Sequence, residues 1–310
     1  MNKSDKIYIA GHNGMVGSSI MRLLLSLGYD NILTVTSKEL DLVNQQRVKD
    51  FFEYHKPDYV VLAAAKVGGI NANMKYSAQF IYDNLMIQNN VIHQSYVSKV
   101  KKLVFLGSSC IYPKECPQPM KEEYLLSGKL EPTNEGYSLA KIVGLKMTEK
   151  YYKQYGLKSV NLIPPNLYGL NDNFDLENCH VLSALIKRFI DAKNNNEHQV
   201  ILWGTGIARR EFMHVDDLAK SILFMLENYK STKPINIGWG LDMTIKELAN
   251  IIKDKTQYDG EIVWDNTKPD GMLRKCLDVT KMMKMGFTPI IKLSDGINQM
   301  IELYRKQLKN

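Results

Sequence analysis

Tyr137 and Lys141 stand four residues apart in EGYSLAK, a spacing that puts both on one face of a helix. A phenol beside an ammonium has its ionised form favoured. The spacing therefore predicts a Tyr137 whose pKa falls toward working pH and which exchanges a proton with a carbonyl oxygen as hydride reaches the carbon. Ser108 and Ser109, in FLGSSCIYP, close an apolar run and offer hydroxyls to the same oxygen. A Tyr and Lys pair alone is common on helix surfaces. Behind a strand-end serine and a glycine turn it reads as the proton-transfer half of a carbonyl reductase.

The glycine turn is Gly11, Gly14 and Gly17 in GHNGMVG, between the apolar run Lys6–Ala10 and a segment with Ile20, Leu23, Leu24 and Leu27 at helical spacing, stopped by Gly28. Glycines so placed permit a tight turn, backbone approach to a pyrophosphate and close helix packing, and the helix N-terminus attracts the anion. A dinucleotide is the expected ligand. The second strand ends in Val35-Thr36-Ser37-Lys38 with no acid for a ribose 2′-hydroxyl, so Ser37 and Lys38 suit a 2′-phosphate. That predicts NADPH, with NADH as the alternative; Lys38 is equally compatible with a solvated surface.

Strands are expected at Ile32–Thr36, Tyr59–Ala63, Leu103–Leu106, Ser159–Ile163 and Ile235–Ile237. Helices are expected around Val48–Phe52, from His180 to Ala192 and from Asp216 to Leu226, with Asn166–Glu177 as a loop. Apolar strands alternating with helices predict an α/β doubly wound parallel sheet of the Rossmann type, with a smaller C-terminal α/β substrate part. The division expected is residues 1–167 with about 210–238 for the dinucleotide, and 168–209 with 239–310 for the substrate. Asp216 and Asp217 read as caps or pair partners.

With 310 residues, 45% of them apolar, the chain can fill a large core. A formal charge of +7 without a basic stripe fits a small anionic substrate and argues against nucleic acid. No run is long enough for a membrane span and none resembles a secretory signal, so a cytoplasmic protein is expected. Cys110, Cys116, Cys179 and Cys276 lack metal-site spacing; they read as free thiols, with no metal.

GHNGMVG (11–17), AAAKVGGI (63–70), LGSSCIYPK (106–114), LEPTNEGYSLAK (130–141), NLYGLNDNF (166–174), REFMHVDD (210–217) and KPDGMLRKCLDVT (268–280) together resemble the extended short-chain dehydrogenase/reductases, and within them the GDP-L-fucose synthase family. The resemblance spans nearly the whole chain. It implies an NADPH-dependent C4 reduction, with 3,5-epimerisation, of a GDP-linked 4-keto sugar by a homodimer. Ser108, Tyr137 and Lys141 would be the reductive triad, and Cys110 and His180 an acid/base pair for epimerisation. Cys110 would need a nearby cation to become a thiolate. From the residues alone, Cys110 reads as a small buried filler and His180 as a helix-start histidine bonded to a carbonyl. The resemblance further implies cofactor contacts at Gly11, Gly14, Met15, Val16, Gly17, Ser37, Lys38, Ala64 and His180 besides the Tyr-Lys pair. It implies substrate contacts at Ser109, Asn166, Val181, Arg188, Trp203, Arg210 and Arg274, with Lys268 as added charge.

The chain departs from the family pattern where bacterial members carry arginine, at Asn13 and Ser37. It departs again at Pro164-Pro165-Asn166 and at Asn178-Cys179-His180-Val181-Leu182-Ser183, where Pro-Thr-Asn and Asn-Ser-His-Val-Ile-Pro are usual. Changes flanking His180 predict an altered sugar, such as a heptose. Three other readings remain open: a reductase without epimerisation acting on a GDP-4-keto-heptose, an NAD-recycling 4-epimerase or 4,6-dehydratase, and a non-catalytic nucleotide-sugar sensor.

Overall fold

The computed structural model describes residues 1–176 and 179–309; Glu177 and Asn178, which fall in segments discussed above, lie outside the described residues. In chain order the elements are β1 (Ile7–Ala10), α1 (Met15–Ser26), β2 (Ile32–Leu33), α2 (Gln45–His55), β3 (Tyr59–Leu62), α3 (Ile70–Lys75), α4 (Ser77–Val97), β4 (Lys102–Leu106), α5 (Glu135–Tyr155), β5 (Ser159–Ile163), β6 (Asn166–Tyr168), α6 (Val181–Asn194), β7 (Gln199–Trp203), β8 (Arg209–His214), α7 (Val215–Asn228), β9 (Ile235–Asn236), β10 (Asp242–Thr244), α8 (Ile245–Thr256), β11 (Glu261–Asp265), β12 (Arg274–Lys275), α9 (Thr280–Lys284) and α10 (Leu293–Gln307).

The strands β2-β1-β3-β4-β5-β9 form a six-stranded sheet in which every pairing is parallel. β1 and β5 are buried end to end and β3 and β4 in all but their first residue, as expected when helices cover both faces. α1 packs with α7, and α4 with α5. The order reverses beside β1, so β1 and β3 open a crevice at their carboxyl ends, where such sheets bind ligands. A second sheet, β10-β8-β12 with β6 beside β8, and the β7-β11 ribbon build the smaller part.

The segment read as a loop from Asn166 opens instead with β6, which pairs β8 in parallel. Its polar composition hid a strand only three residues long. β2 stops at Leu33, short of the expected Thr36. The C-terminal segment does not stay with the smaller part: Met272, Leu277, Val279 and Met282 pack into the larger core, whereas Ile297, Met300 and Ile301 of α10 join the smaller one.

Glu211 on β8 ties these parts together. Its fully buried carboxylate accepts N–H bonds from Gly240 and Leu277, each 2.8 Å long. Burial pushes its pKa up to about 7 despite those bonds. Between the ordinary carboxylate range and about 7 the native chain then holds a proton that the unfolded chain has released, so stability falls as pH rises through that window. Glu211→Gln is expected to flatten this decline, a difference on the order of 2 kcal/mol between acidic and neutral pH. Denaturant titrations across the window measure it.

Candidate active site

The loop from β1 into α1 has the form of an anion cradle. Gly11 is left-handed, with φ of +87°, and a Cβ on it would sit 2.7 Å from the Ala64 nitrogen. A Cβ on Gly17 would collide with the Gly11 carbonyl. Around Gly14, by contrast, the nearest atom to such a Cβ is 3.5 Å away, and no side chain caps α1 there. Space and unsatisfied N–H groups at Met15 and Val16 thus coincide at the positive end of a helix, which fits a dinucleotide pyrophosphate. Gly17→Ala is expected to cost about 1–3 kcal/mol of stability by overpacking, and to weaken dinucleotide binding at least as much. Thermal melts and a fluorescence titration with NADPH check both.

Ser37 and Lys38 are exposed beyond β2. One acid escaped the sequence reading: Glu39 lies just past them. Its carboxylate folds back to accept from the Thr36 N–H at 2.9 Å and the Thr36 hydroxyl at 2.7 Å. Those bonds hold the ionised carboxylate back on its own turn, and Lys38 is the cation that follows Ser37.

The side chains expected to carry the chemistry gather where β4 ends and α5 begins. Ser108 is extended and caps a short 3₁₀ turn, Ser109–Ile111; its oxygen accepts from the Cys110 N–H at 3.3 Å. The Ser138 hydroxyl donates to the Cys110 carbonyl at 2.9 Å and locks this turn to α5. Tyr137, one residue earlier on that helix, lies close enough to Ser108 for the hydroxyl to favour its phenolate. Lys141, one turn on, is buried; its ammonium donates to the Leu106 carbonyl at 2.9 Å and lies 5.7 Å from the centre of the Tyr137 ring.

The direction expected for Tyr137 is reversed. Burial, and then the nearby Cys110, push its pKa up and outweigh the opposing influence of the Ser108 hydroxyl. Lys141 is itself pushed down to about 8 by burial, and its ammonium is turned to a carbonyl rather than to the phenol. The phenol therefore keeps its proton, which is the form that a donor to a nascent alkoxide requires.

A cavity of 390 Å³ opens beside this cluster; Tyr137 is on its wall, whereas Ser108 and Lys141 are not among its lining residues. Cys110, Tyr137 and His180 all reach its wall. His180 is the N-cap of α6 and its side chain does not cap the helix. Val181, Ala184 and Arg188 follow on the same face and line the cavity, as do Asn166, Trp203 and Arg210. Trp203 is 48% exposed rather than core, with the Lys268 ammonium over its ring at 5.5 Å from the centre. Behind the wall, Asp172 accepts from Ser183 at 2.5 Å and feels the charge of His180; burial nevertheless raises its pKa.

Two expected substrate contacts are not brought to the cavity. Arg274 pairs with Asp242, which also takes Arg209. Ser109 is buried, with its N–H on the Pro164 carbonyl. Sequence reasoning missed Lys275, which lines the cavity next to Arg274 in the chain. Successive side chains of a strand point to opposite sides, so β12 can send only one of the two inward. That alternation was the available signal. Among the residues that depart from the family pattern, Cys179 lines the cavity, while Pro165 and Ser183 are buried and absent from its wall. Asp216 pairs with Arg22 and Ser19, and Asp217 accepts the N–H groups of Ile290 and Ile291, the structural roles expected of them.

The NAD dependent epimerase/dehydratase family model matches residues 7–238. GDP-L-fucose synthase 1 of Arabidopsis thaliana is 51% identical over 309 residues, covering 100% of this chain and 96% of that protein. The chain belongs to the GDP-L-fucose synthase branch of that family. Among solved structures, a GDP-6-OMe-4-keto-L-xylo-heptose reductase from C. jejuni matches with a TM-score of 0.94 and 39% identity over 99% of both chains. A GDP-mannoheptose C4 reductase from Campylobacter jejuni, solved with NADP bound, gives 0.90 and 39% over 98% of this chain and 99% of that one. In this family member, then, the glycine cradle and the Ser108, Tyr137 and Lys141 cluster sit on the expected fold, with Cys110 and His180 on the wall of one cavity.

Proposed function

We propose that the chain is an NADPH-dependent C4 reductase of a GDP-linked 4-keto sugar and that it also epimerises C3 and C5. The observation that carries this reading is the meeting of Cys110, Tyr137 and His180 on one cavity wall that also bears Arg188, Arg210 and Trp203. Arginine forks suit a diphosphate, and an exposed indole suits a base.

When bound, NADPH supplies a hydride to C4. The chain's own residues do the rest. Cys110, as thiolate, takes a proton from the carbon beside the ketone, and the electrons move onto the C4 oxygen. Ser108 and Tyr137 hold that oxyanion. His180 supplies a proton to the carbon from another direction, which inverts the centre. Once both centres are set, Tyr137 gives its proton to the C4 oxygen as the carbon is reduced. Lys141 keeps a positive charge under this site.

A hexose and a heptose both remain as substrates. The likeness to the Campylobacter reductases favours the heptose, and the relative from Arabidopsis favours the 6-deoxyhexose. A homodimer belongs to the same reading. α4 and α5 pack side by side and expose Tyr82, Leu139, Val143 and Tyr152, an apolar face that a second copy would cover. The four cysteines are free, which suits the reducing cytoplasm.

The test is consumption of NADPH with GDP-4-keto-6-deoxy-mannose and with the corresponding 4-keto-heptose. Oxidation with at least one of them is expected. Tightly bound NAD⁺ in the purified protein, with no NADPH consumed, would replace this reading by the 4-epimerase or dehydratase one.

A further inference from the structure

We propose that Lys275 is a positioning residue whose ammonium keeps Cys110 ionised, so that the thiol acts as the base in epimerisation. This rests on the function proposed above. The Lys275 ammonium lies 3.4 Å from the Cys110 sulfur. Both groups line the same cavity.

The lysine is held there by its neighbours rather than by its own flexible stem. β12 pairs in parallel with β8, which sets Lys275 level with Arg210. On one side Arg274 is clamped by Asp242. On the other, the Cys276 N–H donates to Gln118 at 3.1 Å, the Cys276 carbonyl accepts from Met120 at 2.7 Å, and Leu277 donates to Glu211. A lysine set between such anchors loses little further freedom in meeting a thiolate.

The groups that bear on Cys110 come from several elements. Lys275 on β12, Arg210 on β8, Ser108 at the end of β4 and Tyr137 on α5 all interact with it. Burial alone would raise the thiol; Lys275, the bond with Ser108, and Arg210 together reverse that. Arg210 is in turn shared with Glu131 and Asp270. Lys275 is thus the cation in direct contact with the sulfur. An ordinary thiol is only a few per cent ionised at neutral pH, so without it little base would exist.

In the step itself Cys110 S⁻ takes a proton from C3 or C5, leaving S–H and an enolate. His180 donates a proton to that carbon and ends neutral. Solvent then removes the thiol proton and restores the one on histidine, so nothing is oxidised or reduced.

The experiment follows the pH dependence of iodoacetamide alkylation of Cys110, read on its peptide by mass spectrometry, in the wild-type chain and in Lys275→Met and Lys275→Arg. No substrate is needed, so the result is independent of whether the sugar has been identified. Circular dichroism and NADPH binding confirm that each variant is folded. Lys275→Met is expected to lower the alkylation rate at neutral pH about tenfold and to move its inflection up by about one pH unit or more. Lys275→Arg should restore most of it. With a turned-over substrate, deuterium exchange at C3 and C5 should fall in Lys275→Met and recover as pH rises. An unchanged alkylation profile in Lys275→Met overturns the proposal, even if that variant binds GDP-sugar poorly. A wild-type chain that neither oxidises NADPH nor exchanges deuterium overturns the proposed function instead.

Discussion

Tyr137→Phe is expected to lower NADPH oxidation on the correct 4-keto sugar about 10³-fold, with little change in NADPH affinity. The phenol sits on the cavity wall near Ser108, and burial favours its protonated form. Phenylalanine keeps the ring and its packing but removes that proton. Ser108 remains as a donor to the developing oxyanion, and so a residual rate survives. Steady-state kinetics settle the point: the loss should fall on kcat and on kcat/KM alike, since the missing interaction is made only as C4 is reduced. A loss confined to KM would assign Tyr137 to binding alone. Loss of the Tyr137 proton should cost rate only above the ordinary tyrosine range, because burial holds the phenol protonated.

Cys110→Ala is expected to remove epimerisation altogether. Deuterium from the solvent should no longer enter C3 or C5, a fall of at least about 10²-fold, and the sugar formed should keep the starting configuration at both carbons. The reason lies in the turn Ser109–Ile111, which delivers the sulfur to the cavity beside the Lys275 ammonium. Hydride delivery to C4 depends on other atoms, so the variant should behave as a plain C4 reductase. NMR of the product separates the outcomes. Continued exchange at C3 in Cys110→Ala would move the base to another residue, and His180 would be the first to examine.

Much of this was legible from residue types and spacing. GHNGMVG between a strand and a helix announced the cradle, and the unrelieved apolar runs announced parallel strands covered on both faces. Cys110 was expected to need a cation, and it has one. Identifying that cation required the structure. β12 is two residues long, so alternation says that one of Arg274 and Lys275 faces inward but not which one. α4 escaped for a related reason. It buries Asn84, Gln88, Asn90 and Gln94, and the amides of the first three bond backbone carbonyls, as Gln88 does to that of Ala140 at 2.6 Å. Buried polar residues blur the apolar stripe that marks a helix.

The charge on Tyr137 was misjudged for an instructive reason. Spacing of four residues places two side chains on one helix face, but it does not fix where a long side chain sends its charged end. Lys141 directs its ammonium to the Leu106 carbonyl, and burial then decides the state of both groups. The departures around His180 were legible as differences but not as consequences. Ser183 does not widen the cavity; it lies behind the wall and donates to Asp172, near the imidazole.

The most direct test of the whole account is a single incubation in heavy water of the wild-type chain, NADPH and GDP-4-keto-6-deoxy-mannose or its heptose counterpart, followed by NMR of the product. A C4 alcohol carrying solvent deuterium at both C3 and C5 is expected. An unreduced sugar with neither site exchanged, for both substrates, would contradict it.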